Sequence, residues 1–410
     1  MVIPLPADAS GVPAWVDEHL GGLFAGDVVP SVRFRGGWRE ARRALAAHDV
    51  AGYAGSRNQV HPVSARGASA LSPYIRHGLL TLREVWEAQR GGPDRDATKF
   101  RDELLWQEYA RHLYARLGSA LARPLRADPP PIVAGAGDPW PGDMACMELA
   151  VGELEGDGWL VNQTRMWLAS QWSVRAGRDW RDGEDRFFTH LLDGSRAANR
   201  VGWQWTIGAA TGKPYGFSRW QVEKRAPGIC AGCGLRRVCP IQDWPAERTP
   251  PRREADPALG ADLTPGATAG PVGAEELGHR PPDAVWLTAE SMGDTDPALL
   301  AHPDLPAVFV FDAPLLGRLQ LSAKRLVFLV ESLVDLAGRR PVEVEVGAPV
   351  EVLGDRPVAA TFTPVPGWRR LRPRVAIVEI HPWPWLVRPG PGSMASFSAW
   401  RRSIGTVRPT

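Results

Sequence analysis

The sequence predicts a multi-domain chain: an all-α domain over residues 1–245, a flexible linker over 246–282 and a small α/β, Rossmann-like domain over 283–410. Three observations carry this division. From about residue 30 to 245, apolar residues recur at helical spacing between short polar or glycine breaks, and no series of strands interrupts them. The stretch AERTPPRREADPALGADLTPGATAGPVGAEELGHRPP is rich in Pro, Gly and Ala and poor in large apolar side chains. Beyond it, short β-branched and aromatic runs alternate with a helical pattern, the signature of a parallel sheet.

The helical segments are Gly37–His48, Thr81–Arg90, Lys99–Leu117, Met147–Glu155, Trp159–Ala176 and Glu184–Leu192. After the linker, strands are expected at Ala284–Leu287, Ala307–Phe311, Val342–Val346 and Val375–Ile380, with a helix over Leu321–Ala337. No glycine-rich phosphate loop follows the first strand, so a nucleotide site there is not supported. The opening MVIPLPADASGVPAWV has no basic start and no unbroken apolar core, and no stretch reaches the length of a membrane span. These features predict a cytoplasmic, monomeric protein in which free thiols persist.

A formal net charge of +2 over 410 residues does not announce a nucleic-acid binder. Locally the balance differs. Between 201 and 245 stand Lys213, Arg219, Lys224, Arg225, Arg236 and Arg237 against Glu223 and Asp243. This run fits a solvated face and a phosphate-contacting patch equally well.

The four cysteines fall as Cys146 and, after 83 residues, Cys230-x2-Cys233-x5-Cys239, with Pro240 behind the last. A close C-x2-C pair, a third thiol within reach and a distant fourth make a four-thiolate metal site. Zinc ribbons usually present two C-x-x-C knuckles, whereas a Cys-Pro ending a short cysteine run is more typical of iron–sulfur ligation. The spacing favours an iron–sulfur cluster, 4Fe–4S by cysteine number, over zinc or unrelated buried thiols. Tryptophan is the other anomaly, 18 against 5 Tyr. Eight of these indoles lie between residues 140 and 220, the stretch that also holds the first cysteine. Core packing accounts for many indoles, but a cluster beside a redox centre also offers easily oxidised steps for electrons.

Five ordered blocks then carry a family resemblance. Ser69-Ala70-Leu71-Ser72-Pro73-Tyr74-Ile75-Arg76-His77-Gly78, Glu103-Leu104-Leu105-Trp106-Gln107-Glu108-Tyr109 and Gly158-Trp159-Leu160-Val161-Asn162-Gln163-Thr164-Arg165-Met166 are followed by Trp180-Arg181-Asp182-Gly183-Glu184 and by the run from Asp193 to Trp205. Together they resemble the photolyase/cryptochrome family. The cysteine pattern, with Cys146 sixteen residues before Asn162, is similar to that of its iron–sulfur bacterial members. Ala284–Leu287, Val308–Asp312 and Arg325–Leu333 look like that family's α/β antenna domain, which here follows the flavin domain instead of preceding it.

The resemblance implies FAD held by Tyr53, Ser69, Leu71, Ser72, Gln107, Asn162, Arg165, Asp193, Ser195 and Asn199. Asn199 would face flavin N5, Arg165 and Asp193 would pair beside the ring, and Trp203 followed by Trp180 would relay electrons. Glu103, Trp106, Asn162, Met166 and Trp205 match contacts to a cyclobutane pyrimidine dimer, so DNA carrying such dimers is the implied partner. Light-dependent repair is the leading implied function, a cryptochrome-like photoreceptor without repair the rival, and a relict FAD scaffold the third reading. Cys146, Cys230, Cys233 and Cys239 would hold the cluster, while any antenna chromophore is undefined. Residue spacing is compatible: Asn162, Arg165, Met166 and Ala169 share one helix face, and Asn199 and Trp203 stand one turn apart. Departures from the family pattern are Ser195 for a carboxylate, Gln107 for an arginine, Phe100 for a tryptophan and Val161 for a histidine. Asn162 occupies the position where (6-4) photolyases carry their catalytic histidine, which disfavours that chemistry.

Overall fold

The computed structural model describes residues 2–407. Its main helices are α1 Val12–Leu20, α2 Trp38–Ala47, α3 Asp94–Leu117, α4 Ala145–Gly156, α5 Asn162–Ala169, α6 Trp180–His190, α7 Arg196–Thr206 and α8 Ala323–Ala337. Local sequence explains their ends. The longest helix, α3, opens with Asp94 and Asp96 and closes with Arg116, each charge complementing the helix dipole. Asp179 and Ser195 cap α6 and α7 by accepting the N–H groups of Arg181 and Ala197. The single helix expected from Trp159 to Ala176 begins at Asn162 and continues after Ala169 as a π-helical stretch, Ser170–Arg175.

The described residues form eight strands: β1 Phe24–Ala25, β2 Glu275–Glu276, β3 Ala284–Leu287, β4 Ala307–Asp312, β5 Leu321–Ser322, β6 Val342–Gly347, β7 Val358–Thr361 and β8 Ile377–His381. The main sheet has the order β2-β8-β7-β3-β4-β6, parallel except for β2 at its edge. Taken as first to fifth in the chain, the five parallel strands lie 5-4-1-2-3, the doubly wound order. The continuous apolar runs of β3 and β4 follow from burial on both faces.

The two halves are not separate bodies on a string. One core cluster runs from Val12 through Leu104, Tyr109 and Phe328 to Trp400. Residues 3–25, expected with the helical domain, lie on the α/β half: Ile3 N–H donates to Val344 O at 2.8 Å, and β1 pairs with β5. Helix α2 lacks a side-chain cap of its own. Instead Gly36, Gly37 and Trp38 N–H donate to Glu331 Oε2, Ser332 Oγ and Asp335 Oδ2 on α8 at 2.6, 3.0 and 2.8 Å.

The stretch expected to be a flexible linker packs between the halves. Leu259 is buried, Asp262 faces Arg116 at 3.5 Å, Arg253 reaches Asp128 at 2.6 Å, and β2 joins the sheet. The remaining C-terminal chain then lies along α3. Tyr109 Oη donates to Met394 O at 2.8 Å, and Val387 N–H donates to Glu108 Oε1 at 3.0 Å. No helix among the described residues is long and apolar enough to cross a membrane.

Candidate functional site

The turn Asp193–Ser195 is where the site's elements meet. Arg165 on α5 pairs with Asp193 at 2.7 Å, as the resemblance implies. Arg76, ending the short Ser72–Arg76 helix, donates to Gly194 O at 2.9 Å. His77 Nε2 lies 3.0 Å from Leu192 O, so the Ser-x-Leu-Ser segment and the Asp193 turn are docked together. Gly194 has no room for a side chain, because a Cβ there would meet Leu191 O at 2.7 Å and Arg325 Nη1 at 3.1 Å.

Polar groups around this turn are left without partners. Asp193 uses Oδ2 for Arg165 while Oδ1 is buried and unbonded, and Asn199 Nδ2 is likewise buried without an acceptor. An unpaired buried polar atom costs about 1–3 kcal/mol. Such atoms therefore fit a polar ring that would satisfy them, as the flavin reading requires. Trp203 stands one turn beyond Asn199 and packs edge-on against Phe187 at 5.1 Å. It belongs, with Trp180, to a buried cluster made of Val60 and residues between 140 and 241.

Other expected flavin contacts are placed less favourably. Ser195 caps α7 with its hydroxyl. Ser69 Oγ accepts the Leu71 N–H at 3.4 Å, and Ser72 Oγ accepts Trp159 Nε1 at 2.9 Å. Leu71 is buried and Gln107 half-buried. Asn162, expected inside the site, is exposed at the start of α5, because the stripe it begins runs from solvent inward to buried Ala169. Tyr53 packs edge-on against Phe100 at 4.9 Å, and burial drives its phenol well above the usual range.

The residues implied to meet a dimer are on the two adjacent helices α3 and α7 and on α5. Glu103 is half-buried and paired with Lys99 at 2.7 Å and Arg57 at 3.4 Å. Trp106, expected to present an open face, is covered: Phe397 of the C-terminal Phe397–Ser403 helix stacks on it at 3.8 Å with planes 13° apart. The cause is the C-terminal chain along α3, invisible to local pattern. Met166 is half-buried and Trp205, 37 % exposed, sits 5.7 Å from Tyr215. Part of the basic run is engaged locally, Lys213 with Glu247, Arg219 with Glu223, and Lys224 over Trp220. Arg236 and Arg237 are exposed.

One participant was not anticipated. Arg325, near the start of α8, is buried at 5 % exposure and donates to Phe188 O and to Gly194 O, the latter at 3.1 Å. Burial lowers its pKa to about 9. The signal was present as a Lys-Arg pair opening an otherwise apolar helix, a cation that must reach polar partners to be buried.

The four thiols converge. Cys146 at the start of α4 and Cys230, Cys233 and Cys239 line one recess with Met144, Arg219 and Ile241. Burial and the neighbouring Cys230, Cys239 and Cys233 push the Cys146 thiol up to about 12. Four thiolates so close together need a cationic centre to form. Among the described residues, the one His/Cys/Asp/Glu group whose ligand atoms all close to within 4.8 Å lies elsewhere.

Comparison with known proteins bears on the helical half. Residues 145–222 match the family described as the FAD binding domain of DNA photolyase. A deoxyribodipyrimidine photo-lyase of Thermus thermophilus is 34 % identical over 181 residues, 40 % of this chain and 40 % of that protein. Its namesake in Vibrio cholerae is 32 % identical over 168 residues, covering 36 % and 35 %. The chain thus spans about 40 % of the length of the curated relatives it matches. A solved class III photolyase from Agrobacterium tumefaciens superposes with a TM-score of 0.36 at 25 % identity, covering 41 % of this chain and 37 % of that one, too loosely to carry an argument.

Proposed function

We propose, from the photolyase/cryptochrome resemblance of the helical half, that the chain binds FAD and serves light-dependent repair of cyclobutane pyrimidine dimers in DNA. The observation that carries this reading is the pair of orphaned buried atoms, Asn199 Nδ2 and Asp193 Oδ1, at the turn where the resemblance puts the flavin. FAD in its reduced, photoexcited form would supply the electron that opens the dimer and is afterwards recovered. Arg165 fixes the Asp193 carboxylate. Asn199 offers a neutral amide able to donate or accept. Trp203 and Trp180 are the oxidisable relay, and Glu103, Trp106, Asn162, Met166 and Trp205 the surface for an extruded pyrimidine dimer. In this reading the α/β half is the antenna-like domain placed after the helical one.

The test is an anaerobic absorption spectrum before and after blue light, with and without a dimer-containing oligonucleotide. Flavin bands with light-dependent dimer loss support repair. Bleaching while the dimer persists moves the reading to a cryptochrome-like photoreceptor, which the Phe397 cover on Trp106 favours. Protein that stays colourless after reconstitution with FAD overturns both. Trp203→Phe is expected to slow flavin photoreduction roughly tenfold or more, about 1.4 kcal/mol of barrier, while pre-reduced protein keeps its repair yield. Equal photoreduction in both proteins would remove Trp203 from the relay.

We further assign Cys146, Cys230, Cys233 and Cys239 to an iron–sulfur cluster of the 4Fe–4S kind. Repair needs no net redox change, so its role would be to anchor the segment after Arg225. Cys146→Ser is expected to lose the broad visible shoulder of the cluster and to leave residues 228–245 open to protease. A colourless wild type holding one zinc would replace the assignment.

A further inference from the structure

At the far edge of the sheet, two imidazoles and a carboxylate from distant positions converge. Glu379 and His381 are two residues apart on β8 and so share one face of the strand. His302 follows the short Pro297–Ala301 helix and is held by its own backbone, since Arg340 donates to His302 O at 2.9 Å and to Pro303 O at 2.8 Å. Its Nε2 stands 3.1 Å from Glu379 Oε2, while His381 Nε2 stands 2.8 Å from Glu379 Oε1. All three ligand atoms lie within 4.8 Å of one another. The rings meet at 86° with centroids 5.6 Å apart, so they do not stack.

A plain hydrogen-bonded clasp would satisfy every nitrogen. Here it does not. His381 is 4 % exposed, and its Nε2, although close to the carboxylate, makes no well-directed hydrogen bond. A buried imidazole nitrogen 2.8 Å from a carboxylate oxygen, without a directed bond between them, leaves both atoms open to a shared cation. Bonds of about 2.0–2.2 Å in a tetrahedral site put neighbouring ligand atoms roughly 3.3 Å apart, so the 3.1 and 2.8 Å contacts would open by a few tenths of an ångström to admit an ion.

We propose that His302, Glu379 and His381 bind a divalent transition-metal ion of the zinc class. Two nitrogens and one carboxylate suit zinc or cobalt and not magnesium or calcium, which demand oxygen ligands. His302 and Glu379, their side chains 20 % and 19 % exposed, leave the fourth position to water. The ion ties the loop between β3 and β4 to β8, two segments otherwise distant in the chain. It is separate from the thiol recess in both position and donor chemistry.

Cobalt(II) as chloride is the probe, titrated into the full protein as isolated, alongside His302→Ala and Glu379→Gln. The wild type is expected to take up one more equivalent than either variant, with the visible d–d bands of four-coordinate cobalt(II) and no sulfur-to-metal charge transfer. Zinc should raise the melting temperature of the wild type only. Affinity in the variants should fall by more than the roughly 10–100-fold that outer-sphere partners cost. Glu379→Gln preserves shape, so it decides the matter should His302→Ala fail to fold. Equal uptake by wild type and variants, or uptake marked by thiolate charge transfer alone, would overturn the assignment.

Discussion

A Gly36→Ala variant is expected to lose about 3 kcal/mol of stability, or to fail to fold. Gly36 lies flat against α8, and a Cβ there would run into the Phe328 carbonyl oxygen, with Ser332 Oγ at 2.7 Å and Glu331 Cβ at 3.0 Å. Backbone lies on both sides of the clash, so no rotamer relieves it. Any retreat breaks the run of N–H donors from Gly36, Gly37 and Trp38 to Glu331, Ser332 and Asp335. Those side chains supply the N-terminal caps that α2 lacks, and they join segments 295 residues apart. Gly152→Ala is the internal control, since Gly152 is exposed within α4 and nothing would touch its Cβ. That change should stabilise by about 0.5–1 kcal/mol through helix propensity alone. Urea melts of both variants give the comparison. A Gly36→Ala midpoint equal to wild type would mean the two halves are not locked at this contact.

What the sequence revealed, and what it hid, follows the range of the forces involved. β3, β4, β6 and α8 lie within a residue or two of expectation because their apolar runs are dictated by burial along each segment itself. β7 escaped notice, since Val-Ala-Ala-Thr carries only one bulky apolar side chain and is a strand only by virtue of β3 and β8 on either side. The 246–282 stretch reads as unstructured because its anchors are single residues, Arg253, Leu259 and Asp262, each meeting a partner more than a hundred residues away. The Arg165–Asp193 pair was legible through family spacing, whereas Ser195 as a cap and Arg325 as a neighbour were not. The first depends on where a helix happens to start. The second depends on the other half of the chain arriving at the turn.

The covering of Trp106 leads to the second large effect. On the proposed repair reading, Glu103→Ala is expected to reduce dimer repair strongly while flavin stays bound, because it removes the acceptor that reading sets against an extruded base and leaves the flavin-side turn untouched. Phe397→Ala should do the opposite. In the resting protein Phe397 fills the face of Trp106, so a base that stacks there must first displace it. An aromatic pair contributes about 0.5–1.5 kcal/mol beyond its buried area, and base stacking on an indole about 1–3 kcal/mol. The two are of similar order, so an entering base meets the cover as an opposing term. Removing that term should tighten binding of a dimer-containing oligonucleotide by about twofold to tenfold, the conversion of 0.5–1.5 kcal/mol. Undamaged duplex, which extrudes nothing, should bind as before. Trp400 and its contacts to Tyr109 and His112 keep the C-terminal helix docked in the variant, so the change is confined to the stack. Fluorescence-anisotropy titrations on wild type, Phe397→Ala and Trp106→Ala separate the alternatives. If Phe397→Ala weakens dimer binding as much as Trp106→Ala does, the two rings form one platform and the cover is part of the binding surface. If neither substitution changes dimer affinity, Trp106 does not meet the lesion, and the photoreceptor reading gains at the expense of repair.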